Sequence, residues 1–148
     1  MRSIALLSIL CLLVTGCIET DDGSIKVDQP YSFGTMPGAK TGAAFMTLTN
    51  KGAEEDSLIA AKSSVAEITE VHQNLIDPDD GKMMMRRIKS IALPINETVK
   101  LEPTGYHIMF IDLKQALGIG ETIPVQLVFE KSGTKTINVE VIAPGTKP

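Results

Sequence analysis

The sequence has no tryptophan, two cysteines, two histidines and only 4% aromatic residues in a chain of 148. It also has no excess of basic residues, because 14 Lys and Arg stand against 18 Asp and Glu and give a net charge of −4. Without a broad basic surface to neutralise phosphates, sequence-independent nucleic-acid binding is not expected. The apolar run over residues 4–14 is too short to span a bilayer as a helix. The length corresponds to one domain.

The N-terminal segment is typical of an export signal, because Arg2 precedes this short apolar run. The run ends at Val14-Thr15-Gly16-Cys17, which resembles the lipobox of bacterial lipoproteins. This resemblance implies cleavage before Cys17, which would then carry the lipid. We therefore expect a signal peptide over residues 1–16, a lipidated cysteine and polar tether over 17–24, and an exported protein that faces the periplasm or the cell exterior. The alternative is an ordinary signal with an incidental cysteine.

The two cysteines are both accounted for by this interpretation. Cys11 leaves with the signal and Cys17 is capped by lipid, so the folded domain is expected to have neither a free thiol nor a disulfide. Thiol catalysis and thiolate metal sites are then excluded. No serine stands with a histidine and an acid in a recognisable setting, so we expect no enzyme, and a hydrolase is the weakest hypothesis.

The rest of the chain favours an all-β domain over residues 25–143 with a short tail at 144–148. About seven short strands with regular turn signals predict a single-domain β-sandwich or barrel. Residues 58–66 fit either a helical face or two short strands, and the β-rich setting favours strands. Residues 114–120 fit a turn or one loose helical turn. Residues 68–72 have a clear strand pattern, and further candidate strands lie at residues 25–27, 45–49, 83–88, 98–101, 106–111, 125–130 and 136–142.

Both histidines lie in predicted strands, and methionines occur either in the same strand or in the strand that follows. The period of two puts His107 and Met109 on one face of their strand, and Met83 and Met85 on one face of theirs. The strand that contains His72 leads into an Asp-Pro-Asp-Asp-Gly sequence at 77–81, which is a turn signal rather than an EF-hand loop. The methionines therefore lie across a predicted hairpin from His72.

Imidazole and thioether groups together suit a soft cation of low charge, and Cu(I) is the physiological candidate. Zn(II) disfavours thioethers, Mg(II) and Ca(II) require oxygen ligands, and a blue-copper centre needs a thiolate. Each residue taken singly is explained by an ordinary role, since methionines fill gaps in cores and histidines on strands often face solvent. Taken together, these residues favour a site that holds copper for transfer. The residue types alone do not decide between this site and the ordinary roles.

The same residues carry a resemblance to a known family. His72, Met85 and His107-Ile108-Met109, with 21 positions (86 to 106) between Met85 and His107, resemble the His…Met…His-x-Met pattern of the periplasmic copper A chaperone family, the PCu(A)C-like proteins. The similarity covers about residues 25–141. It extends through residues 37–45, 50–52, 93–94 and 105–109.

This resemblance implies a cupredoxin-like Greek-key β-sandwich or barrel that binds one Cu(I) through His72, Met85, His107 and Met109, with Met83 as a second-rank candidate. It implies an extracytoplasmic, monomeric metallochaperone that delivers copper toward the copper A centre of cytochrome c oxidase, with a thiol-bearing copper chaperone as a further candidate partner. The pattern departs from the family after His72, where a second methionine or an acid is frequent. The alternative function is a lipid-anchored β-sandwich that binds another protein without transferring metal.

Overall fold

The computed structural model describes residues 23–146 and 148, and this part of the chain is built from ten β-strands without a helix. It therefore contains no helix that is long and apolar enough to cross a membrane. The expected all-β class is confirmed, with more strands than the seven or so that the patterns indicated. The strands are β1 (Ile25–Phe33), β2 (Thr41–Asn50), β3 (Asp56–Ser63), β4 (Ala66–Ile76), β5 (Met83–Arg87), β6 (Ile91–Leu93), β7 (Thr98–Leu101), β8 (Tyr106–Leu113), β9 (Thr122–Phe129) and β10 (Thr134–Ile142).

All ten strands join one sheet in the order β5-β4-β8-β7-β2-β1-β10-β9-β3-β6. Neighbouring strands run antiparallel except for the β1–β10 and β7–β8 pairs. Residues from both halves of this order share one hydrophobic core, and β3 packs against β4 although the two are not hydrogen-bonded neighbours. The sheet must therefore fold over on itself as the two layers of a sandwich.

The core lies between these layers because alternate residues of each strand point toward it. In β2, Ala44, Met46 and Leu48 are buried, and in β8, Ile108 and Phe110 are completely buried. The residues between them point to the outer face of the sheet. This alternation matters for function because His107 and Met109 lie on that outer face.

Two ambiguous segments are now resolved. Residues 58–66 contain most of β3 and the first residue of β4, so the preference for strands over a helix is confirmed. Residues 114–120 form no helical turn, and Leu117 within them belongs to the core at 2% exposure. The three-residue strand β6 was not predicted, because Pro94 directly follows it and shortens its pattern.

Strand β1, which lies between β2 and β10 in the sheet, is interrupted by a bulge. The pairing of β1 with β2 shifts between Asp28 and Tyr31, and Gln29 has a positive φ of 48°. An extra residue in one strand bends it and increases its twist. Beyond the bulge, β1 pairs with β10 as well as β2, and Tyr31 lies opposite Phe45.

Candidate metal site

The site lies near the beginning of β8, which pairs with β4 on one side and with β2 on the other. His107 lies directly opposite His72 on β4, and their ring centroids are 5.9 Å apart. Ile108 lies between Val71 and Ala44 in the core, so the neighbouring His107 is turned to the outer face. The strand pairing thus brings the two histidines of the chain together.

A hairpin brings the methionines of β5 to the same face. The turn is closed by the Asp77 amide, which donates to the Lys82 carbonyl over 2.8 Å, and by Gly81, whose φ of 69° suits glycine. The register then sets Met85 opposite Asn74, and Arg87 opposite His72. The predicted hairpin between the His72 strand and the methionines is confirmed.

Three of the four predicted ligands line one pocket of about 280 Å³ on this face, namely Met85, His107 and Met109. His72 is not among the lining residues, but its ring faces that of His107. Met83 does not line the pocket either and is 62% exposed, whereas Met85 is 50% exposed. Other lining residues are Phe33, Phe45, Asn74 and Pro103.

An aromatic cluster shields one side of the site. The rings of Tyr31, Phe33 and Phe45 contact one another with centroid distances of 5.2 to 5.7 Å. Phe45 in turn lies 6.3 Å from His107, ring centroid to ring centroid. His107 is consequently only 2% exposed although it points away from the core.

Each histidine uses one ring nitrogen in a hydrogen bond and leaves the other without a partner. The Nδ1 of His107 donates to the Gly105 carbonyl over 3.2 Å, and the Nε2 of His72 donates to Glu70 Oε2 over 2.9 Å. Within residues 23–146 and 148, His72 Nδ1 and His107 Nε2 are the only buried side-chain nitrogen or oxygen atoms that lack a hydrogen bond. Buried polar atoms without partners are rare and call for an explanation.

The electrostatics of His107 keep its free nitrogen available. Burial lowers the pKa of His107 below the ordinary value near 6.5, and proximity to His72 lowers it further, while the bond to Gly105 acts in the opposite direction. His107 is therefore neutral at pH 7, with a lone pair on Nε2. Neutral imidazoles and thioethers are donors for a soft cation such as Cu(I).

The described residues contain no cluster of three or more His, Cys, Asp or Glu side chains that would suit a metal ion. The candidate site differs from such clusters because thioethers supply half of its donors. None of the residues that line the pocket carries a carboxylate. Hard divalent cations require such oxygen ligands.

Residues 25–141 match the profile of a family described as "Putative lipoprotein LpqE-like". The chain belongs to this LpqE-like family. A curated relative from Leifsonia xyli subsp. xyli, named as a putative lipoprotein, is 32% identical over 105 residues, which are 70% of this chain and 62% of that protein. The chain thus spans less than two thirds of the length of the curated relative it matches.

The structure of this LpqE-like protein is similar to solved structures of PCuAC domains. The copper-bound PCuAC domain from PmoF2 is 28% identical with a TM-score of 0.69, over 82% of this chain and 95% of that one. The apo PCuAC domain from PmoF1 is 26% identical with a TM-score of 0.70, over 85% and 99% of the two chains. The Cu(I) form of DR1885 from Deinococcus radiodurans, 23% identical with a TM-score of 0.62 over 86% and 85%, shares the fold. The cupredoxin-like fold is therefore confirmed.

Sequence reasoning did not single out Glu70, which the structure places at the edge of the site. Its carboxylate contacts His72, as described above, and also Arg87 Nη1 at 3.2 Å. The signal was present in the sequence, since a residue two positions before His72 shares its face of the strand.

Proposed function

We propose that this LpqE-like protein is an extracytoplasmic Cu(I) metallochaperone. The observation that carries the proposal is the pair of buried, unpartnered ring nitrogens on neighbouring strands, together with Met85 and Met109, which line the same pocket as His107. One Cu(I) bound by His72, Met85, His107 and Met109 would supply the missing partner to both imidazoles. The fold shared with the copper-bound PmoF2 domain supports copper binding as the function.

The donor set suits delivery rather than permanent retention. Two imidazoles and two thioethers are neutral, so the bound ion keeps its positive charge and stays attractive to an anionic thiolate. Met85 is half exposed, so one ligand lies where a recipient can displace it. We propose the copper A centre of cytochrome c oxidase as the recipient, with a thiol-bearing copper chaperone as a further partner.

We also propose that the protein is held at a membrane by lipid on Cys17. Cys17 and the signal over residues 1–16 lie outside the described residues, so this proposal rests on the sequence. The names of the matching family and of the Leifsonia relative support it. The protein would then act on the outer side of the cytoplasmic membrane.

An anaerobic titration tests copper binding, with the protein competing for Cu(I) against a chromophoric chelator. We expect one equivalent to bind, and the Met85→Leu/Met109→Leu double variant to lose at least about 100-fold in affinity, because even residues that only support ligands contribute about 10- to 100-fold. Leucine preserves the apolar volume, so the fold is expected to survive.

The control for this titration is Met36→Leu, since Met36 is 78% exposed and does not line the pocket. We expect this variant to bind as the wild type does. Equal affinities for the wild type and the double variant would overturn the ligand assignment. If the wild type did not compete with the chelator at all, the face would serve to bind a protein and not copper.

A further inference from the structure

The carboxylate of Glu70 joins His72 to Arg87. Glu70 lies two residues before His72 on the same face of β4, and its side chain is only 18% exposed. Its Oε2 lies 2.9 Å from His72 Nε2, and its Oε1 lies 3.2 Å from Arg87 Nη1. Arg87 is also the residue directly opposite His72 in the β4–β5 pairing. Both oxygens of one carboxylate are therefore engaged, and the carboxylate is fixed in orientation between two strands.

The chemistry of this contact determines which nitrogen of His72 carries hydrogen. A carboxylate paired with a guanidinium accepts hydrogen bonds and cannot donate them, so the hydrogen must lie on His72 Nε2. In the neutral ring, Nδ1 then holds the lone pair, and Nδ1 is the buried atom without a partner. His107 has the opposite arrangement, because its Nδ1 donates to Gly105 and its Nε2 is free.

We propose that Glu70 is a positioning residue that fixes His72 in the form with hydrogen on Nε2. His72 then offers Nδ1 to the metal while His107 offers Nε2. A carboxylate that accepts the second N–H of a metal-binding histidine fixes the ring orientation and raises its basicity. The assignment of the metal-binding atoms rests on the proposed function, whereas the assignment of the hydrogen on His72 does not.

The first test uses long-range ¹H–¹⁵N spectra of the metal-free protein, in which the ring nitrogens report where the hydrogen lies. We expect His72 to be protonated on Nε2 and His107 on Nδ1 in the wild type. Glu70→Leu removes the acceptor, so we expect His72 to become a mixture of the two forms. Glu70→Gln keeps an acceptor oxygen, so we expect it to retain the wild-type form.

Glu67→Leu is the matched control, because Glu67 lies on the same strand, has a 64% exposed side chain and pairs only with Lys114 among the described residues. We expect its histidine spectra and its Cu(I) affinity to equal those of the wild type. We expect Glu70→Leu to bind Cu(I) about 10- to 100-fold more weakly. A His72 ring protonated on Nδ1 in the wild type, or a Glu70→Leu variant unchanged in both spectra and affinity, would overturn the proposal.

The second test identifies the metal-binding atoms with ¹⁰⁹Ag(I), a closed-shell ion of the same charge as Cu(I). We expect a one-bond silver–nitrogen coupling at His72 Nδ1 and at His107 Nε2. A coupling at His72 Nε2 would contradict the proposal, since Glu70 would have to leave that atom. Absence of silver and copper binding would instead refute the proposed function, while the metal-free spectra would still decide the role of Glu70.

Discussion

The imidazole of His107 is nearly inaccessible to water although it points away from the core. Phe45 and the pairing with β4 enclose it, and burial is the main reason that its pKa lies below the ordinary value. A lowered pKa protects a metal-binding nitrogen from protons. Copper binding at His107 should therefore persist to lower pH than binding at a freely exposed histidine.

The same shift makes the metal-free protein sensitive to acid. The pKa of His107 in the folded protein is below that in the unfolded chain, about 6.5, so the unfolded chain takes up the proton first as the pH falls. The stabilisation is complete above about pH 6.5 and is lost progressively as the pH falls from there to the folded pKa. We expect the free energy of unfolding in urea to decrease between pH 7.5 and 5.5.

The matched variant for this measurement is His107→Leu, which cannot take up a proton at that position. We expect its free energy of unfolding to depend less steeply on pH over the same interval. An equal dependence in the two proteins would show that other groups cause the acid sensitivity. Because both proteins are compared without metal, the result does not depend on copper binding.

For single residues, the sequence predicts which face of a strand a side chain occupies better than it predicts which residue lies opposite on the neighbouring strand. Alternation alone correctly grouped His107 with Met109, and Met83 with Met85. It could not separate Met83 from Met85, which share a face and differ only in their partners across the hairpin, Ile76 and Asn74. Those partners depend on the geometry of the turn, and the residue pattern does not specify it.

Among the elements, β5 is the one whose order copper binding should change most. It is an edge strand, bonded on one side to β4, and four of its five residues are exposed. Strands with few buried contacts open locally at low free-energy cost. A bond from Met85 to a metal that is also held by β8 would add a link between β5 and the centre of the sheet.

We therefore expect Cu(I) to slow hydrogen exchange of the amides of β5 in the folded protein. The strand at the other edge, β6, provides an internal comparison, since it carries no predicted ligand and pairs with β3. Its exchange should not respond to copper. If β5 and β6 slowed equally, the effect would be general stabilisation, and if neither slowed, Met85 would not be a ligand in solution.

The elements themselves were predictable where a strand alternates over five or more residues, as in β8 and β10. They were not predictable where tertiary contacts alone determine the structure. Leu117 is a core residue in a loop without strand or helix periodicity, and β6 has three residues held by pairing with β3. Neither feature has a local pattern long enough to detect.

On the scale of the whole molecule, the strand order could not be derived from local patterns, because it depends on pairings between distant segments. Strands β7 and β8 are sequential and adjacent, but β1 lies between β2 and β10. The arrangement of the strands was predicted only through the resemblance to the PCu(A)C-like proteins, which implied a cupredoxin-like fold. The arrangement also separates the candidate metal site from the point where the described chain enters the fold.

This separation can be read along β2, which spans the distance. Ile25 pairs with Asn50, near the first described residues, whereas Ala43 pairs with Met109 of the site. Seven residues of strand correspond to about 23 Å at about 3.3 Å per residue. The described chain thus enters the fold at one end of β2, and the candidate metal site lies toward the other end.

We therefore expect the lipid-anchored protein on vesicles to transfer Cu(I) to a soluble copper A domain as fast as a Cys17→Ser variant without lipid. The copper A domain is captured through an affinity tag at timed intervals and its copper content measures the transfer, while the Met85→Leu/Met109→Leu variant gives the background. Slower transfer from vesicles would mean that the membrane covers the metal face, contrary to the 23 Å separation. Absence of transfer from both proteins, with copper binding intact, would refute the copper A centre as recipient and leave the binding site in place.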